Sequence, residues 1–329
     1  MNTGINLGIL GCAKISQVAI IDAAKEVPDV AILAVGSRSQ ADADAYAQQH
    51  GISKAYGSYG HLLADPDIDV VYNPLPNHLH EKWTIAALEA GKHVLVEKPL
   101  AANADQALRM VKAANKHSLH LIEAFHYRYH PMSIEMLSQL HVGVIGTIRK
   151  VEVTLKVPKT MLEDNDIRLS SDCAGGAAMD LGSYGINLMR AIYNEDPTID
   201  SANPEIVADN IDGAMQASLR FSKGVTGTLV CSIINDSVES LVKVYGGNGT
   251  LEAKNPFLPQ FGHSLKIISD GKETKFRFPR TTTYVYQLQA VTNCLLKGMP
   301  CATPASDGIA NMAILDGIYA AAGLKIRGK

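Results

Sequence analysis

The sequence predicts an α/β protein: an amino-terminal Rossmann doubly wound parallel sheet, followed by a carboxy-terminal α+β domain with a large, mostly antiparallel open sheet. Three observations carry this. With 329 residues, 47% of them hydrophobic and 19% charged, the chain is globular in composition and too long for one ordinary hydrophobic core. Its first third alternates short apolar runs with helical patterns, as right-handed βαβ units do. Beyond about residue 124 the pattern changes to strands of period two with no helix between successive pairs, which is how an antiparallel sheet reads.

Taken in order, residues 5–11 are the first strand, 15–25 the first helix, 30–37 the second strand and 41–50 the second helix. Strands at 70–73, 93–97 and 120–124 follow, with helices at 81–90 and 104–116. Later strands fall at 148–157, 213–221, 225–233, 241–245 and 265–269; a helix at 180–193 interrupts them, and helices at 284–297 and 308–322 close the chain. There is no internal repeat or long linker. The expected division is 1–122 for a dinucleotide-binding domain and 123–329 for a domain of substrate binding and oligomerisation.

The formal charge is −3 with no long run of either sign, so neither nucleic acid nor an anionic membrane is an expected partner. A small neutral or weakly charged substrate fits better. No charged and apolar leader opens the sequence and no apolar run is long enough for a bilayer, so the expected compartment is the cytoplasm. Cys12, Cys173, Cys231, Cys294 and Cys301 are scattered and odd in number, which suggests free thiols rather than disulfides or zinc ligands. His50, His61, His93, His117, His120, His141 and His263 share no spacing with carboxylates or thiols that would hold an ion. No metal is expected.

The segment from Leu7 to Ser16 reads LGILGCAKIS, and its Gly11, Ala13 and Ser16 occupy the small positions of the G-x-G-x-x-G pattern. Gly11 permits the tight turn, Ala13 lets the backbone approach a pyrophosphate, and Ser16 allows close helix packing. Amides at the helix start then favour the diphosphate, so Cys12, Lys14 and Ile15 belong to the same cofactor turn. Where a carboxylate would chelate the ribose of NAD, the second strand instead ends in Gly36-Ser37-Arg38-Ser39. Ser37 and Arg38 point to NADP(H), with NAD(H) as the alternative, because a guanidinium pairs with a 2'-phosphate.

Three further segments narrow the reading: Asn73-Pro74-Leu75-Pro76-Asn77-His78-Leu79-His80, Glu97-Lys98-Pro99, and Asp180-Leu181-Gly182-Ser183-Tyr184. Together with the Gly11 turn, they resemble the glucose-fructose oxidoreductase, inositol dehydrogenase and rhizopine catabolism (Gfo/Idh/MocA) family over essentially the whole chain, including residues 311–323. The resemblance implies an NAD(P)-dependent oxidoreductase acting on CH–OH groups. Many family members carry His where this chain has Tyr184; Tyr is similar to the subgroup of dimeric dihydrodiol dehydrogenase, D-xylose dehydrogenase and glucose-fructose oxidoreductase.

Lys98, at the carboxyl end of a parallel strand, is placed to meet both nicotinamide and a substrate oxygen, where it would stabilise developing negative charge. Asp180 and Tyr184 lie four apart, on one face of a helix. Tyr184 is the expected acid/base, with Lys98 lowering a phenol pKa that is ordinarily about 10. The resemblance further implies cofactor contacts from Pro74, Leu75, Asn77, His80, Glu97 and Arg128. His126 and Tyr127 either line the substrate pocket or seal the domain junction, and Gly175 and Gly176 either admit a ligand or form a plain loop. A D-xylose-type aldose is the first-choice substrate; a trans-dihydrodiol and a deoxysugar ketone follow. A non-catalytic dinucleotide-sensing regulator is the rival, against which Lys98, Asp180 and Tyr184 count. The open second sheet is the expected contact of a homodimer or homotetramer.

Overall fold

The computed structural model describes residues 4–163 and 165–329. The chain forms two compact units: residues up to His126 with Tyr284–Ile309, and Tyr127–Thr283 with Ala310–Lys329. The expected cut at 122/123 is corrected in one respect of consequence. All but the first residue of the helix Thr283–Lys297, expected in the second domain, belongs to the first unit.

The first unit holds β1 (Ile5–Leu10), β2 (Val30–Gly36), β3 (Lys54–Tyr56), β4 (Val70–Asn73), β5 (His93–Val96) and β6 (Leu121–Glu123), in the spatial order β3-β2-β1-β4-β5-β6. Every pairing is parallel. The winding reverses between β1 and β4, so the segments leaving those strands diverge and open a crevice at their carboxyl ends. Leu7, Ile9, Leu10, Val70, Val71 and Leu95 are buried, as central strands covered on both faces must be. β3 and the helix Tyr59–Leu63 were not expected from the sequence, being too short for a periodic signal.

The first helix is not uniform. An ordinary turn at Lys14–Ser16 widens to an i→i+5 turn over Gln17–Ile21 and narrows again at Asp22–Ala24. Its apolar side, Ala19, Ile20, Ile21 and Ala23, shares one core with Tyr284, Leu288, Val291 and Cys294. Each large apolar side chain withdrawn from water there contributes about 1.5–3 kcal/mol, which is why the returning helix sides with the first unit. The return is also hydrogen-bonded: Thr303 Oγ1 donates to the Glu123 carbonyl over 2.7 Å, and the Glu123 amide donates to the Thr303 carbonyl over 3.1 Å.

The second unit is built on β7 (Ile148–Pro158), β8 (Thr198–Ala208), β9 (Ile211–Arg220), β10 (Thr226–Asn235), β11 (Glu239–Gly246), β12 (Gly249–Lys254), β13 (Ser264–Ser269) and β14 (Lys272–Phe276), in the order β14-β13-β12-β11-β7-β10-β9-β8. All neighbours are antiparallel except β7 and β10, which run parallel. The helix Ser183–Tyr193 lies against the middle of this sheet. Gly185 makes that possible, since a Cβ there would fall 2.4 Å from Leu229 Cδ1 and 3.2 Å from Val153 Cγ1. Among the described residues, no helix is long and apolar enough to cross a membrane.

Candidate functional site

The first unit brings the expected nucleotide turn together. Gly11 adopts φ +82°, a left-handed conformation open chiefly to glycine, and its amide donates to the Gly36 carbonyl over 2.7 Å, tying β1 to β2 at their carboxyl ends. Ala13 is the N-cap of the helix and makes no side-chain cap bond, so the positive end of the helix is not closed by its own capping side chain. That geometry suits a diphosphate. Ser16 is fully buried, as the close-packing position requires; Cys12 and Ile15 are half-buried and Lys14 is exposed. Burial raises the Cys12 thiol pKa, opposed by the Ser37 hydroxyl, so this thiol stays protonated. Arg38 is exposed two residues past the carboxyl end of β2. Ser39, by contrast, is engaged: its hydroxyl accepts the Asp42 amide and caps the helix Gln40–His50.

The turn carrying Lys98 is braced by side chains from three elements. Tyr72 on β4 donates to Glu97 Oε1 over 2.6 Å, and Glu97 Oε2 accepts the Lys98 amide over 3.3 Å. Glu123 on β6 accepts the Leu100 amide over 2.8 Å. His80, from the helix Asn77–Glu89, places Nδ1 3.0 Å from the Pro99 carbonyl and Nε2 2.6 Å from the Leu75 carbonyl. The ring is fully buried, which brings its pKa down to about 4 although both carbonyls pull the other way. Both ring nitrogens of His80 thus face backbone carbonyls, and the neutral ring donates its one N–H to one of them.

Pro74 and Leu75 are buried where the chain leaves β4, and Asn77 is half-buried as the first residue of that helix. The helix starts four residues ahead of the expected 81–90 because Pro76 occupies its N-cap. The Lys98–Pro99 peptide is cis. His126 packs its ring on Tyr284, centroids 4.3 Å apart. Burial first, and the Lys98 charge second, push its pKa down to about 3, so the imidazole beside Lys98 is neutral. Burial, aided by Glu97, raises the Tyr284 phenol.

In the second unit, Asp180 lies in a wide turn, Ala178–Gly182, that runs into the helix bearing Tyr184. The Asp180 carboxylate is 3.7 Å from the Arg168 guanidinium, which is itself held by Asp166 at 2.7 Å. Tyr184 is buried, its ring 5.4 Å from Phe257 and 5.9 Å from Tyr127.

Asn187 was missed. It is 1% exposed, and its Oδ1 accepts the Tyr127 hydroxyl over 2.7 Å and Arg128 Nη1 over 3.2 Å. Its signal was present: Asp180, Tyr184 and Asn187 are spaced i, i+4, i+7, and an amide among Ile186, Leu188 and Met189 needs a partner. Through Asn187, the Tyr127 hydroxyl is committed within the protein and Arg128 is oriented by the helix of Tyr184. Asn311 adds a second hold, donating to the Ser183 carbonyl over 3.3 Å. Among the described residues, no group of three His, Cys, Asp or Glu side chains could hold a metal ion.

Comparison with known proteins finds relatives along nearly the whole chain. Residues 5–125 match the family described as "Oxidoreductase family, NAD-binding Rossmann fold", and residues 135–252 match "GFO/IDH/MocA C-terminal domain". The chain is 32% identical over 319 residues to a D-xylose 1-dehydrogenase (NADP(+)) of Haloferax volcanii, covering 96% of each chain. It is 32% identical over 310 residues to a trans-1,2-dihydrobenzene-1,2-diol dehydrogenase of Xenopus tropicalis, covering 89% of each. Among solved structures, KijD10, a 3-ketoreductase from Actinomadura kijaniata in complex with NADP and TDP-benzene, superposes with a TM-score of 0.87 at 27% identity, over 97% of this chain and 98% of that one.

Proposed function

Because this chain belongs to the Gfo/Idh/MocA oxidoreductase family, we propose that it is an NADP-dependent dehydrogenase of sugar-like substrates, with a D-xylose-type aldose oxidised at its hemiacetal hydroxyl as first choice. The observation that carries the reading is the braced Lys98 turn at the carboxyl end of β5, in the same unit as the Gly11 turn. Relatives at 32% identity act on D-xylose and on a dihydrodiol, and one is named for NADP(+).

When bound, the nicotinamide supplies the hydride acceptor or donor. Gly11, Cys12, Ala13, Lys14 and Ile15 hold the diphosphate, Ser37 and Arg38 the 2'-phosphate, and Pro74, Leu75, Asn77, Glu97 and Arg128 the remainder of the dinucleotide. Tyr184 takes the proton of the substrate hydroxyl in the oxidative direction and returns it in the reductive one. Lys98 stabilises the negative charge that grows on that oxygen and favours the phenolate. Asp180 accepts a hydrogen bond from a neighbouring substrate hydroxyl. The protein acts in the cytoplasm as a homodimer or homotetramer through the open sheet of the second unit.

The test is a panel of aldoses, ketoses, dihydrodiols and keto-deoxysugars followed by NADPH absorbance in both directions, with light scattering on the same sample. Turnover on an aldose with NADP(+) and a mass of two or four chains are expected. Tight NADPH binding with no turnover on any of them would instead indicate a nucleotide-sensing regulator.

A further inference from the structure

Asp212 on β9 and Arg327 in the carboxy-terminal tail form an ion pair at 2.9 Å, their side chains 0% and 1% exposed. Nothing in the proposed reaction uses them. Two of their other bonds reach the entry to the helix of Tyr184. Arg327 Nε donates to the Gly175 carbonyl over 2.8 Å. Asp212 Oδ2 accepts the Ala178 amide over 2.7 Å, and Oδ1 accepts the Tyr319 hydroxyl over 2.9 Å. The guanidinium also lies 4.1 Å from the Tyr319 ring centroid. The tail is fixed in turn by Asn210, whose side chain accepts the Lys325 amide over 2.8 Å and donates to its carbonyl over 3.4 Å.

Of the two glycines before Asp180, Gly176 is explained by the same pair, whereas a Cβ on Gly175 would fall 2.5 Å from the Arg168 carbonyl oxygen. Gly176 has φ +123°, and a Cβ there would fall 2.1 Å from Asp212 Oδ1 and 2.7 Å from the Tyr319 hydroxyl. The space a side chain would take is filled by the ion pair rather than left for a ligand. The Asp180 amide then donates to the Gly176 carbonyl over 3.0 Å, so the tethered segment passes its position directly to the turn that carries Asp180.

We propose that Asp212 and Arg327 are positioning residues for the site: the carboxy-terminal tail sets the register of the Ala178–Gly182 turn and so places Asp180 and Tyr184. Holding a backbone carbonyl and an amide three residues apart fixes the first helical turn from both sides, and the side chains two and six residues beyond that amide, Asp180 and Tyr184, follow it. The consequence for turnover rests on the oxidoreductase reading above; the tether itself does not.

The experiment uses the full chain and the double variant Asp212→Asn with Arg327→Met. Removing both charges together avoids stranding one in the interior, which is the costly outcome, so the double variant is expected to fold. Two readouts follow. Amide exchange at residues 178–184 should speed up by roughly tenfold or more while the strands of the same sheet keep their protection. Turnover should fall by about 10–100-fold with substrate KM moving far less, since a small displacement of reacting groups acts on the rate. Affinity for NADPH should stay unchanged. Arg327→Lys, which keeps the charge but not the fork, should fall between wild type and double variant, and it serves alone if the double variant does not fold. Exchange and turnover both at wild-type values would overturn the proposal. If the wild type turns over no substrate, the proposed function fails, and amide exchange alone decides whether the tether sets the turn.

Discussion

His80 Nδ1 stands 3.0 Å from the carbonyl oxygen of Pro99, the residue next to Lys98. A side chain on the helix after β4 thereby holds the end of β5, and the position of the Lys98 ammonium depends on a ring that is not itself exposed to ligand. His80→Phe fills the volume but removes the one N–H that the neutral ring donates to the Pro99 or Leu75 carbonyl, which should cost about 1–3 kcal/mol in chemical denaturation. Turnover should drop roughly tenfold or more through displacement of Lys98, while fluorescence titration with NADPH changes little. Loss of NADPH affinity in place of rate would return His80 to the cofactor.

Lys98→Met and Tyr184→Phe remove the charge stabiliser and the proton carrier. Each should lower turnover by about 10²–10⁴-fold, the range of acid–base and electrostatic contributions, with NADPH binding preserved. Full activity in either variant would eliminate that residue's assigned part.

Arg38→Ala tests the choice of dinucleotide. A charge-assisted bond to a phosphate contributes about 1.5–3 kcal/mol, so NADPH should bind roughly 10–100-fold more weakly. Affinity for NADH, which lacks the 2'-phosphate, should hold steady; equal weakening of both would show that Arg38 does not read that group.

Acid should destabilise the first unit in a defined window. His126 has a folded pKa of about 3 against about 6.5 in an unfolded chain. Between those values the unfolded chain binds more protons, so stability is fully present above about pH 6.5 and falls as pH drops toward the folded value. His80, with a folded pKa of about 4, acts with the same sign. The His126 share should approach roughly 3–5 kcal/mol by pH 3. Urea midpoints compared from pH 7 down to pH 4 should fall more steeply for wild type than for His126→Phe; parallel curves would contradict the assignment.

The parallel sheet was legible because β1, β2, β4 and β5 are apolar runs bounded by turns, and the motifs at Gly11, Asn73, Glu97 and Asp180 sit at element ends, where the sequence signal is densest. The edges of the second sheet were not. β8 is exposed along most of its length and carries Pro204, and β14 is largely exposed; an edge strand with little to bury shows no alternation. The helix Pro131–His141 was missed as well. The lone parallel pair, β7 with β10, depends on chain routing through the helix of Tyr184, which no local pattern encodes. The partners of the site residues were equally hidden: Glu123 meets Leu100 from 23 positions away and Asp212 meets Arg327 from 115.

Return of residues 284–309 to the first unit has a consequence for the order in which the protein is made. When a ribosome has released all six strands of the parallel sheet, the face formed by Ile20, Ile21, Leu95 and Ile122 still lacks Tyr284, Leu288 and Val291. At roughly 5–20 residues per second, that apolar face waits for the intervening chain to emerge before it can be covered. The nucleotide-binding half is therefore begun before the second unit but completed only after residues 127–283 have emerged, and a chaperone that shields apolar surface has most to do in that interval.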